Sequence, residues 1–283
     1  MTLKKNLVLR EQDKKPIVYD VYYTQSLSPK PVVVFCHGYK GFKDWGAWHL
    51  VAEAFSNEGF FFIKFNFSHN GGTVEQPIDF PDLDAFSQNN FSKELEDLDR
   101  IIKSITSKQF EQEVDRSNIS LIGHSRGGGI VLIKAEENPI IKNVITWAGV
   151  SDFKARFQVN TSEFRKWKEI RISYVENTRT KQQMPLDFQF YEDFKANEER
   201  YTIQRVVENL SIPQLIIHGS IDPAVAVEEA KNIHRWNPNS ILKIIENSDH
   251  VFGSSHPWKQ NKLPEDLQKV VEESIEFLKA QNP

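Results

Sequence analysis

Cysteine is nearly absent from this chain: Cys36 is the only one among 283 residues. An intramolecular disulfide is therefore excluded, and so is a cysteine-rich zinc or iron–sulfur site. Charge of one sign is missing too. With 35 Lys and Arg against 39 Asp and Glu, the net charge is −4. That balance argues against general attraction to nucleic acid or to an anionic membrane surface. No apolar run approaches the roughly 18 residues of a membrane span. The segment Met1–Leu7 turns polar too soon for a signal peptide, so the expected location is the cytoplasm. Nucleotide and zinc signatures are lacking as well. There is no G-x-x-x-x-G-K-[ST], no early G-x-G-x-x-G opening a helix, and no H-E-x-x-H.

What is present suits a globular α/β protein. Short β-branched or Phe-rich runs lie at Pro31 to Phe35, Phe60 to Phe67, Asn118 to Ile122, Ile140 to Trp147, Pro213 to Ile217 and Ile241 to Ile245. Such runs suit strands buried on both faces. Between them lie stretches of helical spacing, clearest in Leu95, Leu98, Ile101, Ile102 and Ile105. Strand and helix in alternation imply a mostly parallel sheet of about eight strands with helices on both faces. Asn6 to Arg10 and Ile17 to Tyr23 leave no room for a helix between them and read as antiparallel edge strands. There is no repeat, low-complexity tract or flexible linker, so residues 1–283 are expected to form one domain. The alternation breaks from about 151 to 205, where charge is high and aromatics are dense. This region reads as a small cap insertion containing a hairpin about Asn177 to Thr180.

Gly123-His124-Ser125-Arg126-Gly127 fits G-x-S-x-G between an expected strand and an expected helix, the context that motif requires. A tight turn there lifts the serine hydroxyl clear of the sheet and aims a helix N-terminus at the reacting centre. A serine needs a base to take its proton. His250, after the last strand-like run, fills that role, and Asp222, after the run before it, is the orienting acid. The order is Ser…Asp…His, with separations of 97 and 28 residues. Asp249 adjoins the base, but its side chain should point away from that of His250. Asp152 is the reserve acid. The turn His37-Gly38-Tyr39-Lys40-Gly41 offers the Tyr39 N–H, which with the Arg126 N–H would form an oxyanion hole. His37, His124 and His218 read as structural residues at strand ends. His49, His69, His234 and His256 read as surface or satisfied histidines.

These motifs resemble the α/β-hydrolase superfamily over almost the full length. Within it, the chain is similar to dienelactone-hydrolase-like and cinnamoyl- or feruloyl-esterase-like enzymes with a short cap. The resemblance implies an α/β-hydrolase fold with Ser125 as nucleophile, His250 as base, Asp222 as acid, and backbone donors at Tyr39 and Arg126. Arg126 departs from the Gln or Met often found there. Its side chain is expected to pair with a local carboxylate, or else to meet an acidic substrate. The activity implied is hydrolysis of carboxylic esters with small to medium acyl or aryl groups, through an acyl-enzyme and with no cofactor or metal. Phe153, Trp167 and Phe188 of the cap, with Tyr39, are candidate pocket walls. The expected partner is a small-molecule ester, with no nucleic acid and no membrane; a homodimer is allowed. Two other readings stay open. One is a peptidase or amidase of prolyl-oligopeptidase type, separable by matched ester and amide substrates. The other is a non-catalytic binding module on the same scaffold, separable by fluorophosphonate labelling.

Overall fold

In the computed structural model, which describes residues 1–281, an eight-stranded sheet carries the fold. Its strands are β1 (Thr2–Leu9), β2 (Ile17–Tyr23), β3 (Lys30–Cys36), β4 (Phe61–Phe65), β5 (Val114–His124), β6 (Ile141–Trp147), β9 (Gln214–Gly219) and β10 (Ile241–Ile245). A separate antiparallel hairpin supplies β7 (Ile172–Glu176) and β8 (Gln183–Asp187). The order across the large sheet is β1-β2-β4-β3-β5-β6-β9-β10. From β4 to β10 every neighbour pair is parallel. Only β1–β2 and β2–β4 are antiparallel. One expectation is corrected here. β2 is not an edge strand: Tyr19 to Tyr22 pair with Phe65 to Phe62, and all seven of its residues are buried. β1 alone closes that side.

Alternation along the strands builds two apolar layers. Val32, Val34 and Cys36 of β3 face one layer, and Val33 and Phe35 face the other. The first layer lies under α3 (Phe91–Ile105), α4 (Arg126–Glu137), α7 (Ile203–Asn209) and α8 (Val227–Trp236). The second lies under α1 (Trp48–Asn57) and α9 (Glu265–Ala280). Helix α3 shows how the sequence builds these elements. Asn90 caps it by accepting from the Lys93 N–H at 2.9 Å, and Leu95, Leu98, Ile101, Ile102 and Ile105 form its buried stripe.

From β3 the chain turns to β4 on one side and then to β5 on the other. The loops after β3 and β5 therefore meet at the point where strand order reverses, where open α/β sheets bind ligands. The segment between β6 and β9 holds α5 (Ser162–Ile170), the β7–β8 hairpin and α6 (Gln189–Ala196). Rings fix it to the body: Phe153 and Phe190 pack on Phe91 of α3 at 4.1 and 4.7 Å, and Phe157 joins Phe190 and Phe194 within the segment. A short helix, α2 (Leu83–Ser87), lies beside β8. Among the described residues, no helix is long and apolar enough to cross a membrane.

Candidate active site

Ser125 sits between β5 and α4 at φ 57° and ψ −120°, a conformation that L-residues rarely adopt. Hydrogen bonds over-determine it. Its N–H donates to the Trp147 carbonyl at 2.9 Å, and its carbonyl accepts from Gly128 at 2.9 Å and Val150 at 3.2 Å. The flanking glycines are sterically required. A Cβ on Gly123 would stand 2.2 Å from the Gly127 oxygen. One on Gly127 would stand 2.5 Å from the Cys36 carbonyl. Gly38 abuts the serine itself: a Cβ there would lie 2.8 Å from that of Ser125. The β3 loop thus closes directly onto the elbow.

Asp222 follows β9. Its Oδ1 accepts from the Ala224 and Val225 N–H groups at 2.8 and 2.9 Å, which fixes the carboxylate plane. Its Oδ2 lies 2.7 Å from His250 Nδ1 and 3.2 Å from His218 Nε2. Burial opposes ionisation of Asp222, but the hydrogen bonds from His218 and His250 outweigh it and hold the carboxyl below the usual carboxylate range. The same His218 nitrogen is 2.8 Å from the Val225 carbonyl, so it carries the proton. His218, read from sequence as a strand-end residue, thus also donates to Asp222; its i,i+4 spacing to Asp222 was the available signal.

His250 lies in the loop between β10 and α9. Its neighbour Asp249 is occupied locally, accepting from Val251 at 3.0 Å and Gly253 at 2.9 Å. His124 Nε2 donates to the His250 carbonyl at 2.8 Å. Burial, followed by the His250 ring, lowers His124 to about 3, so it is a neutral donor at physiological pH. The reserve acid, Asp152, is exposed and accepts from Lys154 and Ala155 N–H groups at the start of a short helical turn.

Ser125 and His250 line one cavity of about 410 Å³ together with Tyr39, Trp45, Trp48 and His256. Its size suits a small molecule. Arg126 follows Ser125 but does not line this cavity. Its N–H opens α4, where first-turn amides have no carbonyl partner within the helix. Its guanidinium turns away over the Tyr39 ring at 4.2 Å and lies 3.5 Å from buried Glu94, the local carboxylate of the two expected destinations. The cap rings are placed elsewhere. Phe153, Trp167 and Phe188 are buried and do not line this cavity. Phe153 meets Phe91, and Trp167 and Phe188 pack edge to face at 5.0 Å. These aromatics are consumed in packing the insertion and docking it, and the wall is built from the β3 loop, Trp48 of α1 and the β7–β8 turn at Asn177–Arg179 instead. His256 is satisfied by the Gly46 N–H at 2.9 Å, and it also faces the cavity, which no motif signalled.

Behind the β3 loop lies a buried charge network. Lys43 Nζ is 2.9 Å from Asp20 and 2.5 Å from Asp44, and Lys64 Nζ is 2.7 Å from Asp20 and also pairs with Asp44. Burial would raise the Asp44 carboxyl, but the ammonium groups of Lys64 and Lys43 hold it below its usual range. The Lys43 N–H donates to Asn66 at 2.7 Å, and Asn70 donates to the Gly41 carbonyl at 3.1 Å.

A parallel sheet with a strained serine at the elbow after β5, and a histidine–carboxylate pair after β10 and β9, defines the α/β-hydrolase class. A profile of the α/β hydrolase fold matches residues 31–180, and the chain belongs to that family. It is 25 % identical over 195 residues to human serine hydrolase BPHL, covering 66 % of this chain and 64 % of that protein's length. Among solved structures it is similar to Est1E from Butyrivibrio proteoclasticus, with TM-score 0.73, 17 % identity and coverage of 98 % and 99 % of the two chains. It is also similar to dienelactone hydrolase from Anabaena variabilis, with TM-score 0.64, 15 % identity and coverage of 99 % and 97 %.

Proposed function

We propose that this protein is a serine hydrolase that cleaves carboxylic esters of small to medium acyl or aryl groups. The observation that carries the reading is the meeting of three loops. Ser125 and His250 line one cavity, and His250 Nδ1 lies 2.7 Å from Asp222. Ser125 Oγ attacks the acyl carbon while His250 Nε2 takes its proton. The oxygen of the tetrahedral adduct accepts from the N–H groups of Tyr39 and Arg126. As the bond to the leaving alkoxide breaks, His250 passes that proton to it and the acyl group stays on Ser125. Water, deprotonated by the same imidazole, then attacks the acyl-enzyme and frees the acid. Asp222 holds the proton on Nδ1, which leaves Nε2 free to act as base, and it stabilises the imidazolium.

The test is labelling by a fluorophosphonate together with turnover of an ester series of graded acyl length that includes ferulate esters, since one Est1E structure holds ferulic acid. The expected result is labelling at Ser125 and turnover, both abolished in S125A with an unchanged melting temperature. A folded protein that takes no label and cleaves no ester at neutral pH overturns the reading.

A further inference from the structure

The cavity is cationic in a molecule that is acidic overall. Of the 39 Asp and Glu residues in the chain, none lines it. Two basic residues do, Lys40 and Arg179. The three other histidines on its wall add no charge near pH 7. Burial lowers His37 to about 4 and His124 to about 3, and burial followed by Arg179 pushes His256 down.

Lys40 is the telling residue. It occupies a left-handed position, φ 55°, in the turn that also presents the Tyr39 N–H. Its ammonium stands 5.6 Å from the Tyr39 ring centroid. Half-withdrawn from water, it is lowered by desolvation, and no carboxylate offsets that shift. The two fully buried lysines, Lys43 and Lys64, by contrast each meet two carboxylates. Among the described residues, Lys40 has no ion-pair partner. A partly desolvated ammonium without a partner is unfavourable unless an anion arrives. Arg179 reaches the rim from the β7–β8 turn and is shared with Asp79.

Building on the ester-hydrolase reading, we propose that the substrate carries a carboxylate at the end remote from the scissile ester. Lys40 is its principal contact and Arg179 steers it at the rim. The aromatic wall of Trp45 and Trp48 takes the apolar middle.

The test compares the 4-nitrophenyl monoester of glutaric acid with 4-nitrophenyl pentanoate, which has the same chain length without the charge. At low ionic strength the monoester should be favoured at least about tenfold in kcat/KM. The ratio should fall about tenfold in K40Q, persist in K40R, shrink with added salt, and fall less in R179Q. A binding readout does not depend on turnover. S125A should bind monophenyl glutarate more tightly than phenyl pentanoate, and S125A/K40Q should lose that preference. A ratio near or below one, with equal binding of the two ligands, overturns the proposal. Loss of turnover on both esters with the binding preference intact would sink the hydrolase reading while supporting the anion site.

Discussion

Removing Lys64 tests the buried network most directly. Lys43, Lys64 and Asp20 have fully buried side chains, and Asp44 retains 24 % exposure. Two ammonium groups face two carboxylates, so the cluster is neutral. K64M keeps most of the side-chain volume but leaves one uncompensated negative charge between β2, β4 and the β3 loop. Breaking a buried pair in this way costs about 3–5 kcal/mol. At about 2–4 °C per kcal/mol for a domain of this order of size, the melting temperature should drop roughly 6–20 °C. Removing a carboxylate together with the lysine restores neutrality. K64M/D44N should therefore be more stable than the sum of the single changes by about 1 kcal/mol or more. Acid unfolding gives a second reading. Because Asp44 is held below its usual value, its contribution is complete above about pH 4, the unfolded-state value. It is lost as pH falls through the folded value, and K64M should show a shallower acid slope. Urea and thermal melts of the parent, K64M, D44N and K64M/D44N suffice. A K64M stability within about 1 kcal/mol of the parent would mean that water already reaches these charges, and the argument would fail.

D222N should keep its fold, because Oδ1 still accepts from Ala224 and Val225, yet lose about 10³–10⁴-fold in kcat as the His250 tautomer is no longer fixed; circular dichroism and single-turnover kinetics check both halves. G127A forces a Cβ to within 2.5 Å of the Cys36 carbonyl and 2.7 Å of the His37 carbonyl, both backbone. It should cost about 1–3 kcal/mol and slow fluorophosphonate labelling, and unchanged labelling would refute the close-approach argument. Burial raises the Asp97 carboxyl to about 6, against the hydrogen bond from the Ser68 N–H and the Arg100 charge. The folded state then binds a proton that the unfolded chain releases near about pH 4. That contribution, on the order of 3 kcal/mol, is full below pH 4 and lost as pH rises through 6. A carboxyl titration by NMR near the unperturbed value would contradict it.

The elbow was legible because close packing prescribes residue types there. Gly123 and Gly127 must lack side chains, and that requirement is written in the sequence. Strands β3, β4, β5, β6 and β9 were legible for a similar reason: strands buried on both faces leave largely unbroken apolar runs. The cavity wall was not. Aromatic content marks residues that leave water but not which surface they leave it for. Phe153, Trp167 and Phe188 left it for one another and for Phe91. Lys64 was hidden inside Phe61–Phe65, where a charge is tolerated only through partners on β2 and the β3 loop, 44 and 20 residues distant. A pair defined across strands leaves no local pattern.

The polar interior has a geometric consequence. The turn that carries Tyr39, the proposed oxyanion donor, has no regular structure of its own between Cys36 and Trp48. It is held from behind by Lys43 in the charge network and by the Lys43 N–H on Asn66, and from the side by Asn70 on the Gly41 carbonyl. The loop that carries Asn70 is anchored in turn where Ser68 donates to Asp97 of α3. Apolar packing alone would leave such a loop free to slide, because dispersion contacts are non-directional, whereas hydrogen bonds and ion pairs fix orientation. An oxyanion donor must be aimed within a few tenths of an ångström. On the proposed mechanism, with the Tyr39 N–H as oxyanion donor, directional contacts would supply that aim, so weakening Lys43, Asn66 or Asn70 should lower kcat more than it raises KM for a neutral ester.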